Sequence, residues 1–328
     1  MTRAGSTTAA RPTARPRRSR AASGSRRCAT CSRARSCSTT TAWCSTRAIR
    51  PSSSGPTSAC AAPPTAGAPC WRPSADPMAG DALTALRLAL GPGFDLQAVA
   101  ECPSTNSTLL EAARQGLSAP RLLVADRQTA GRGRLGRAWH SWPGASLTFS
   151  LAWPWQGAPL TGLSLAVGAA LAEALEPQGQ RMRLKWPNDL RLDEAKLGGI
   201  LIETVLKGDR VQAVVVGVGL NVAEPEADPG QPAAGLQRLD PRWTASTALA
   251  CVGPALVALL NGWPREGWAG WRTAFEARDA LRGLRVQAGA LQGTVLGVDG
   301  EGALTLRDDA GGLHAVAAGE VSVRSMEG

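Results

Sequence analysis

Three short motifs in a fixed order constrain the fold of this chain more than any other feature of its sequence. They read QTAGRGRLGR at Gln128–Arg137, KWPND at Lys185–Asp189 and KLGGI at Lys196–Ile200. Glycine permits tight backbone turns and lets a ligand approach a strand closely, and proline fixes the chain at a turn. The motifs therefore predict a ligand site assembled from turns and strand ends.

The residues around the motifs alternate between helical and strand-like patterns, which predicts a mixed α/β domain. The elements read from these patterns are strands at Arg121–Asp126 and at Ser146–Trp153, the latter with one buried face, and a helix within Leu160–Glu176. Leu197–Leu206 and Val211–Val216 flank a KGDR turn and predict a hairpin. Thr108 and Glu111 have capping-box spacing, which predicts a helix that begins there and ends at Gly116.

The sequence after Arg282 changes to short strand-like runs separated by glycine turns. Such a pattern predicts a small all-β barrel in the last residues of the chain. We therefore divide the globular part into a larger α/β domain at 78–281 and a β-barrel domain at 282–328.

Residues 1–77 differ in composition from the rest, since they consist largely of Ala, Arg, Ser, Thr and Pro. They have too few aliphatic residues to close a core, so we expect them to be disordered. A sequence of this composition also arises when a GC-rich gene is translated from a point upstream of its true start codon, and Met78 offers an alternative start. Cys28 and Cys31 have the spacing of a zinc knuckle, and a nonspecific basic tail is a further alternative.

The net charge of +10 comes from the same leader, which holds 13 arginines and one aspartate. The other 251 residues carry 23 basic and 25 acidic groups, and a nearly neutral body favours neither specific nucleic-acid binding nor an acidic partner. Cys102 and Cys251 alone remain in that body, which is typical of a protein of the reducing cytoplasm. The apolar stretches, such as Leu163–Leu175, are too short to predict a membrane span.

Lysine and asparagine are rare in this chain and concentrate in the motifs. Only three lysines occur among 36 basic residues, and Lys185 and Lys196 are two of them. Three of the four asparagines are Asn106 in an STN triplet, Asn188 in KWPND, and Asn221 in GVGLN. A compact ammonium and an amide each fill a site differently from a guanidinium, which indicates that these positions require their residue types.

The motif residues are suited to binding anions. The glycines and three arginines of Gly131–Arg137 offer backbone N–H groups and forked donors to an anion, and a solvated basic turn is the alternative. Asp189 is a natural Mg²⁺ ligand when phosphates supply the other oxygens, and an ion pair with Lys185 is the alternative. For Ser104–Asn106 a helix N-cap, and for GVGLN a tight turn, compete with ligand binding.

The order and spacing of the three motifs resemble those of the biotin protein ligases. This resemblance implies a biotin/lipoate-ligase-like catalytic domain, an SH3-like C-terminal domain, and biotin, ATP and Mg²⁺ as substrates and metal. It also implies catalytic roles for Lys196 and Arg134 and a metal ligand in Asp189. The implied contacts to biotin or its adenylate are Ser104, Thr105, Asn106, Gln128, Arg132, Gly133, Arg134, Lys196 and Asn221.

The expected activity is formation of biotinyl-5′-AMP and transfer of biotin to a lysine of a carboxylase carrier protein. A lipoate or octanoate transferase, a DNA-binding biotin-sensing regulator and an inactive biotin-binding module are the alternatives. Some members of the family carry an N-terminal helix-turn-helix, but residues 1–77 have no helical periodicity, so a monofunctional ligase is expected. The family often pairs through its central sheet, which leaves a homodimer open. The chain has no tyrosine, so any tyrosine contact of the family must be made otherwise.

Overall fold

A computed structural model describes residues 80–179, 181–225, 232–318 and 323–325. The predictions for residues 1–77, including the zinc knuckle, lie outside the described residues. The first domain comprises the following elements: α1 (Gly80–Leu90), β1 (Asp95–Cys102), α2 (Thr105–Arg114), β2 (Arg121–Gln128), β3 (Ser146–Pro154), α3 (Leu163–Leu175), β4 (Met182–Lys185), β5 (Asp189–Leu192), β6 (Ala195–Lys207), β7 (Arg210–Asn221), α4 (Ala245–Glu266) and α5 (Arg272–Glu276).

Seven strands form one mixed sheet in the order β1-β2-β3-β7-β6-β5-β4. β1 and β2 are parallel, whereas the other neighbours are antiparallel. The predicted hairpin is confirmed as β6 and β7, and Gly208 in its turn has a φ of 59°, a conformation that favours glycine. The mixed α/β class predicted from the sequence is therefore correct.

The sheet is covered on both faces. The larger core lies between the sheet and helices α1, α3 and α4, while α2 packs on the opposite face against β2, β3, β6 and β7. Ser146–Ala152 is buried along its whole length, so the prediction of one buried face for this strand is wrong. Its central position between β2 and β7 explains the difference, because a central strand covered on both faces has no solvent side.

Helix α4 is long and apolar enough to cross a membrane by length and composition, but it packs within the larger core. Its first turn is fixed by a capping box, in which Thr244 and Thr247 each accept from the other's backbone N–H, at 3.2 and 2.9 Å. Helix α2 begins earlier than predicted, since Ser104 rather than Thr108 caps it. The polar triplet Ser104–Asn106 thus forms the first turn of a helix that lies against the sheet.

The C-terminal residues form a second, five-stranded antiparallel sheet in the order β11-β10-β9-β8-β12. Its strands are β8 (Arg285–Ala288), β9 (Leu291–Val298), β10 (Leu304–Arg307), β11 (Leu313–Val316) and β12 (Val323–Ser325). The prediction of a small all-β unit after Arg282 is confirmed, whereas its boundary at 281/282 and its closure into a barrel stay predictions. Indole N–H groups of Trp186 and Trp268 each donate to a β9–β10 loop carbonyl at 3.1 Å, which ties this sheet to the first domain.

Candidate functional site

The three motifs meet at one cavity of about 720 Å³. Its walls come from the start of α2, the segment after β2, the β4–β5 turn and the middle of β6 and β7. Every residue that the sequence nominated for the site lines it: Ser104, Thr105, Asn106, Gln128, Arg132, Gly133, Arg134, Asp189, Lys196 and Asn221. Their individual roles stay predictions.

The glycine-arginine loop, Gly131–Arg137, crosses the cavity wall as a closed turn. The Gly133 N–H donates to the Arg137 carbonyl at 2.7 Å, and the Trp139 N–H donates to the Gly131 carbonyl at 2.9 Å. The Arg134 guanidinium lies 3.3 Å from Asn188 Oδ1 and also donates to the Ala318 carbonyl, so it joins the loop to KWPND and to the C-terminal domain. Burial lowers the pKa of Arg134, while Asp189 opposes this effect.

Helix α2 contributes a polar corner of the cavity. Ser104 Oγ accepts from the Ser107 N–H at 3.4 Å as the N-cap, and the same residue lines the cavity. Capping and a place in the site therefore coexist at Ser104. Gln128 Oε1 accepts from the Thr105 N–H at 2.7 Å and from its hydroxyl at 3.1 Å. This bond joins the end of β2 to the start of α2 across the corner.

A lysine–carboxylate pair lies on the opposite side of the cavity. Lys196 Nζ lies 2.9 Å from Asp189 Oδ1, and both side chains are about three-quarters buried, at 23% and 25% exposed. Among the described residues, Lys196 is therefore the ion-pair partner of Asp189, and the alternative pairing with Lys185 is wrong. Burial lowers the pKa of Lys185, with Arg191 and Lys196 acting in the same direction and Asp189 opposing them.

The two remaining motif asparagines brace strand β6. Asn188 Nδ2 donates to the Ile200 carbonyl at 2.8 Å, as expected for a bracing residue. Asn221 Nδ2 donates to the Lys196 carbonyl at 3.4 Å and to the Ala234 carbonyl at 3.2 Å. Asn221 thus supports the backbone that carries Lys196. The GVGLN segment lies inside β7, so the tight turn considered for it is wrong, because β3 and β6 pair with it on both sides.

Glycine at position 217 makes room for the corner of α2. A Cβ built on Gly217 would lie 2.2 Å from Asn106 Oδ1, and Asn106 is buried and hydrogen-bonded. We expect Gly217→Ala to lower the free energy of unfolding by about 1–3 kcal/mol, as overpacking typically does. Gly93→Ala, where the Cβ meets open space, is the matched control. Equal denaturant midpoints for the two variants would contradict this close packing.

Several cavity residues were not identified from the sequence. They are the aromatic side chains Trp139, His140 and Trp142, the hydroxyl of Ser150, and Arg324 of the C-terminal domain. Trp139 lies two residues after the GRGRLGR run, so its position offered a signal, whereas Ser150 and Arg324 stand in unremarkable strand sequence. The Trp139 indole N–H is buried and makes no hydrogen bond to protein.

The cavity thus separates two kinds of chemistry. Neutral hydrogen-bonding groups of α2 and β2 form one part, the polar corner. The cations Arg134, Lys185 and Lys196 form another part, the cationic wall. A neutral polar head group suits the first part, and anionic groups suit the second. The cavity volume is within the range of about 300–1,000 Å³ for small-molecule sites. Such an arrangement is suited to a ligase, an enzyme that must hold two substrates side by side.

The match to known families agrees with this class. Residues 99–221 match the model of the Biotin/lipoate A/B protein ligase family, and residues 283–324 match the biotin protein ligase C terminal domain. The first match contains all three motifs, and the second covers the five-stranded sheet. The chain belongs to this family, and its two domains are those of a biotin protein ligase.

Individual relatives extend over both domains. The bifunctional ligase/repressor BirA of Escherichia coli is 35% identical over 68% of this chain and 72% of its own length. The biotin–[acetyl-CoA-carboxylase] ligase of Paracoccus denitrificans is 35% identical over 65% of this chain and 94% of its own. The biotin protein ligase of Aquifex aeolicus, solved with biotin and ATP, has 30% identity and a TM-score of 0.61 over 70% of this chain and 99% of its own.

Proposed function

We propose that this protein activates biotin with Mg·ATP to biotinyl-5′-AMP and transfers the biotin to a lysine of a carboxylase carrier protein. The observation that carries the proposal is the meeting of all three motifs at one cavity with a neutral polar corner and a cationic wall. Biotin offers an uncharged ureido head group and a carboxylate, and ATP offers phosphates. The polar corner suits the ureido head group, and the cationic wall suits the carboxylate and the phosphates.

In the first step the biotin carboxylate attacks the α-phosphate of ATP and pyrophosphate leaves, so two anions must approach each other. Lys196 Nζ lies 2.9 Å from Asp189 Oδ1. From this position its positive charge screens the repulsion between the biotin carboxylate and the α-phosphate. Arg134 and the backbone N–H groups of the glycine-arginine loop close over the adenylate. Thr105, Asn106 and Gln128 bind the head group, and Ser104 keeps that end of α2 capped.

Asp189 is the residue that would hold Mg²⁺. The described residues contain no group of three or more His, Cys, Asp or Glu side chains arranged to hold a metal ion. A single carboxylate that is 25% exposed nevertheless fits Mg²⁺, which usually takes one or two protein carboxylates together with phosphate oxygens. When bound, the ion neutralises phosphate charge. Because Asp189 is paired with Lys196 in this structure, a bound metal ion would share that carboxylate with the lysine.

The second step needs no nucleophile of this chain. The amine of the carrier lysine attacks the acyl carbon of the mixed anhydride, and AMP leaves. We assign the chain to the cytoplasm, without a specific nucleic-acid partner, and propose a homodimer as its assembly. A lipoate or octanoate transferase is disfavoured because the relatives named above are biotin ligases over both domains.

The test is to incubate the full chain with Mg·ATP and radiolabelled biotin, with and without a carboxylase carrier domain. Labelled biotinyl-AMP without carrier, and labelled carrier with it, are the expected results. Specific operator binding without ligation would instead support a regulator. Binding of biotin without pyrophosphate release would support an inactive binding module and overturn the proposal.

A further inference from the structure

Glu203 on β6 holds two of the predicted biotin-contacting residues at once. Arg132 Nη2 lies 3.1 and 2.8 Å from the two carboxylate oxygens of Glu203, and Asn106 Nδ2 donates to Oε2 at 2.9 Å. Arg132 Nε donates in addition to Ser107 Oγ at 3.1 Å. The guanidinium of Arg132 is therefore held by both β6 and α2.

The carboxylate also ends a chain of hydrogen bonds that runs along the polar corner. The Ser150 hydroxyl lies 2.6 Å from both Asn106 Oδ1 and Thr105 Oγ1, and Thr105 donates to Gln128. Asn106 connects this chain to Glu203 through its other amide atom. A change at Glu203 is thus transmitted both to the loop and to the residues that receive the head group.

An ordinary surface ion pair would not have this effect. Exposed pairs contribute about 0–1 kcal/mol, and Arg132 is 43% exposed. Glu203 differs because it also accepts from Asn106, which is only 4% exposed. Without the carboxylate, the Asn106 amide keeps only the Leu201 carbonyl, at 3.2 Å, as an acceptor for its N–H groups. A buried amide that lacks a partner is costly, so its side chain would reorient.

We propose that Glu203 is a positioning residue that fixes the glycine-arginine loop and the Asn106 amide in the geometry that binds biotin. The inference rests on the proposed function, since biotin is the ligand it invokes. Within the loop Glu203 holds Arg132, whereas Arg134 is held separately by Asn188 and the Ala318 carbonyl, and Lys196 is paired with Asp189. Loss of Glu203 should therefore affect the KM for biotin more than kcat or the KM for ATP.

Glu203→Gln keeps the shape of the side chain and removes its charge. We expect the KM for biotin to rise about tenfold, in keeping with the loss of a charge-assisted hydrogen bond. The kcat and the KM for ATP should stay within about threefold of the parent. Glu276→Gln is the matched control, because Glu276 is similarly exposed, at 29%, and pairs with Arg272 on α5 outside the cavity.

Trypsin provides a readout without substrates, since Arg132 and Arg134 lie in the loop itself. Cleavage of the intact protein at Arg134 should be several-fold faster in Glu203→Gln and in Arg132→Gln, and unchanged in Glu276→Gln. In the double variant, Glu203→Gln should add little to the effect of Arg132→Gln on cleavage, because both remove the same contact.

The two readouts separate the failure of this inference from failure of the proposed function. If the parent protein has no ligase activity but Glu203→Gln still speeds cleavage at Arg134, the ligase assignment is wrong and the contact of Glu203 with the loop still holds. An active parent, with unchanged KM for biotin and unchanged cleavage in folded Glu203→Gln, overturns the role of Glu203. An equal fall in kcat/KM for biotin and in kcat/KM for ATP in that variant would also overturn it, because such a result indicates general damage.

Discussion

Replacing Lys196 by alanine should lower the rate of adenylate formation about a thousandfold, as expected when a preorganised charge at the reacting centre is lost. Lys196 Nζ is 2.9 Å from Asp189, and the side chain is largely enclosed by the cavity. Its backbone pairs with Pro232 and Ala234, so truncation of the side chain leaves the strand in place. The rate is measured as biotinyl-AMP formed in a single turnover from α-labelled ATP.

Lys207→Ala is the matched control for this experiment. Lys207 ends the same strand β6, is exposed and lies outside the cavity, so the same substitution should leave the rate unchanged. Lys196→Arg should restore little activity, because a planar guanidinium does not occupy the place of a compact ammonium. A Lys196→Ala rate within tenfold of the parent would remove Lys196 from the chemical step.

Arg134→Gly should leave adenylate synthesis possible but release the intermediate into solution, roughly ten- to a hundredfold faster than the parent. Arg134 joins the loop to Asn188 and to Ala318, so its loss frees one side of the cavity. The expected range corresponds to charge-assisted hydrogen bonds of about 1.5–3 kcal/mol. The measurement is the fraction of biotinyl-AMP that passes an ultrafiltration membrane during a single turnover.

Two further variants identify the cause of any release. Arg134→Ala should release the intermediate as Arg134→Gly does, since both lack the guanidinium. Release from the glycine variant alone would attribute the effect to backbone freedom instead. Arg210→Gly, at the exposed first residue of β7 and outside the cavity, should retain the intermediate like the parent. Retention by both Arg134 variants would show that other groups close the cavity.

Local patterns in the sequence were sufficient for much of the fold. The β6–β7 hairpin was predicted because two apolar runs flank a KGDR turn, and the signal lies within a few neighbouring residues. The burial of β3 on both faces was missed because its small polar residues resemble a solvent face. Ser146, Thr148 and Ser150 are buried instead, and their hydroxyl groups are hydrogen-bonded to protein.

The candidate site likewise contains features that the sequence predicted and features that it did not. The motif residues were found because their types and spacing are specific, but the partner of Asp189 was not determined. Lys185 is the cross-strand neighbour of Asp189 on β4, yet the Asp189 carboxylate pairs with Lys196 of β6, the strand on its other side. Glu203 belongs to no motif, and its two contacts come from residues 71 and 97 positions away.

The sequence by itself determined the motif residues of the site and the order in which they occur along the chain. The tertiary structure alone decided which of them share a carboxylate, which cap a helix while lining a cavity, and which residues of the second domain join them. The physical reason is that side-chain type and hydrophobic period are local properties, whereas strand register and helix packing depend on contacts between distant segments. Glu203 and Arg324 become visible only once those contacts exist.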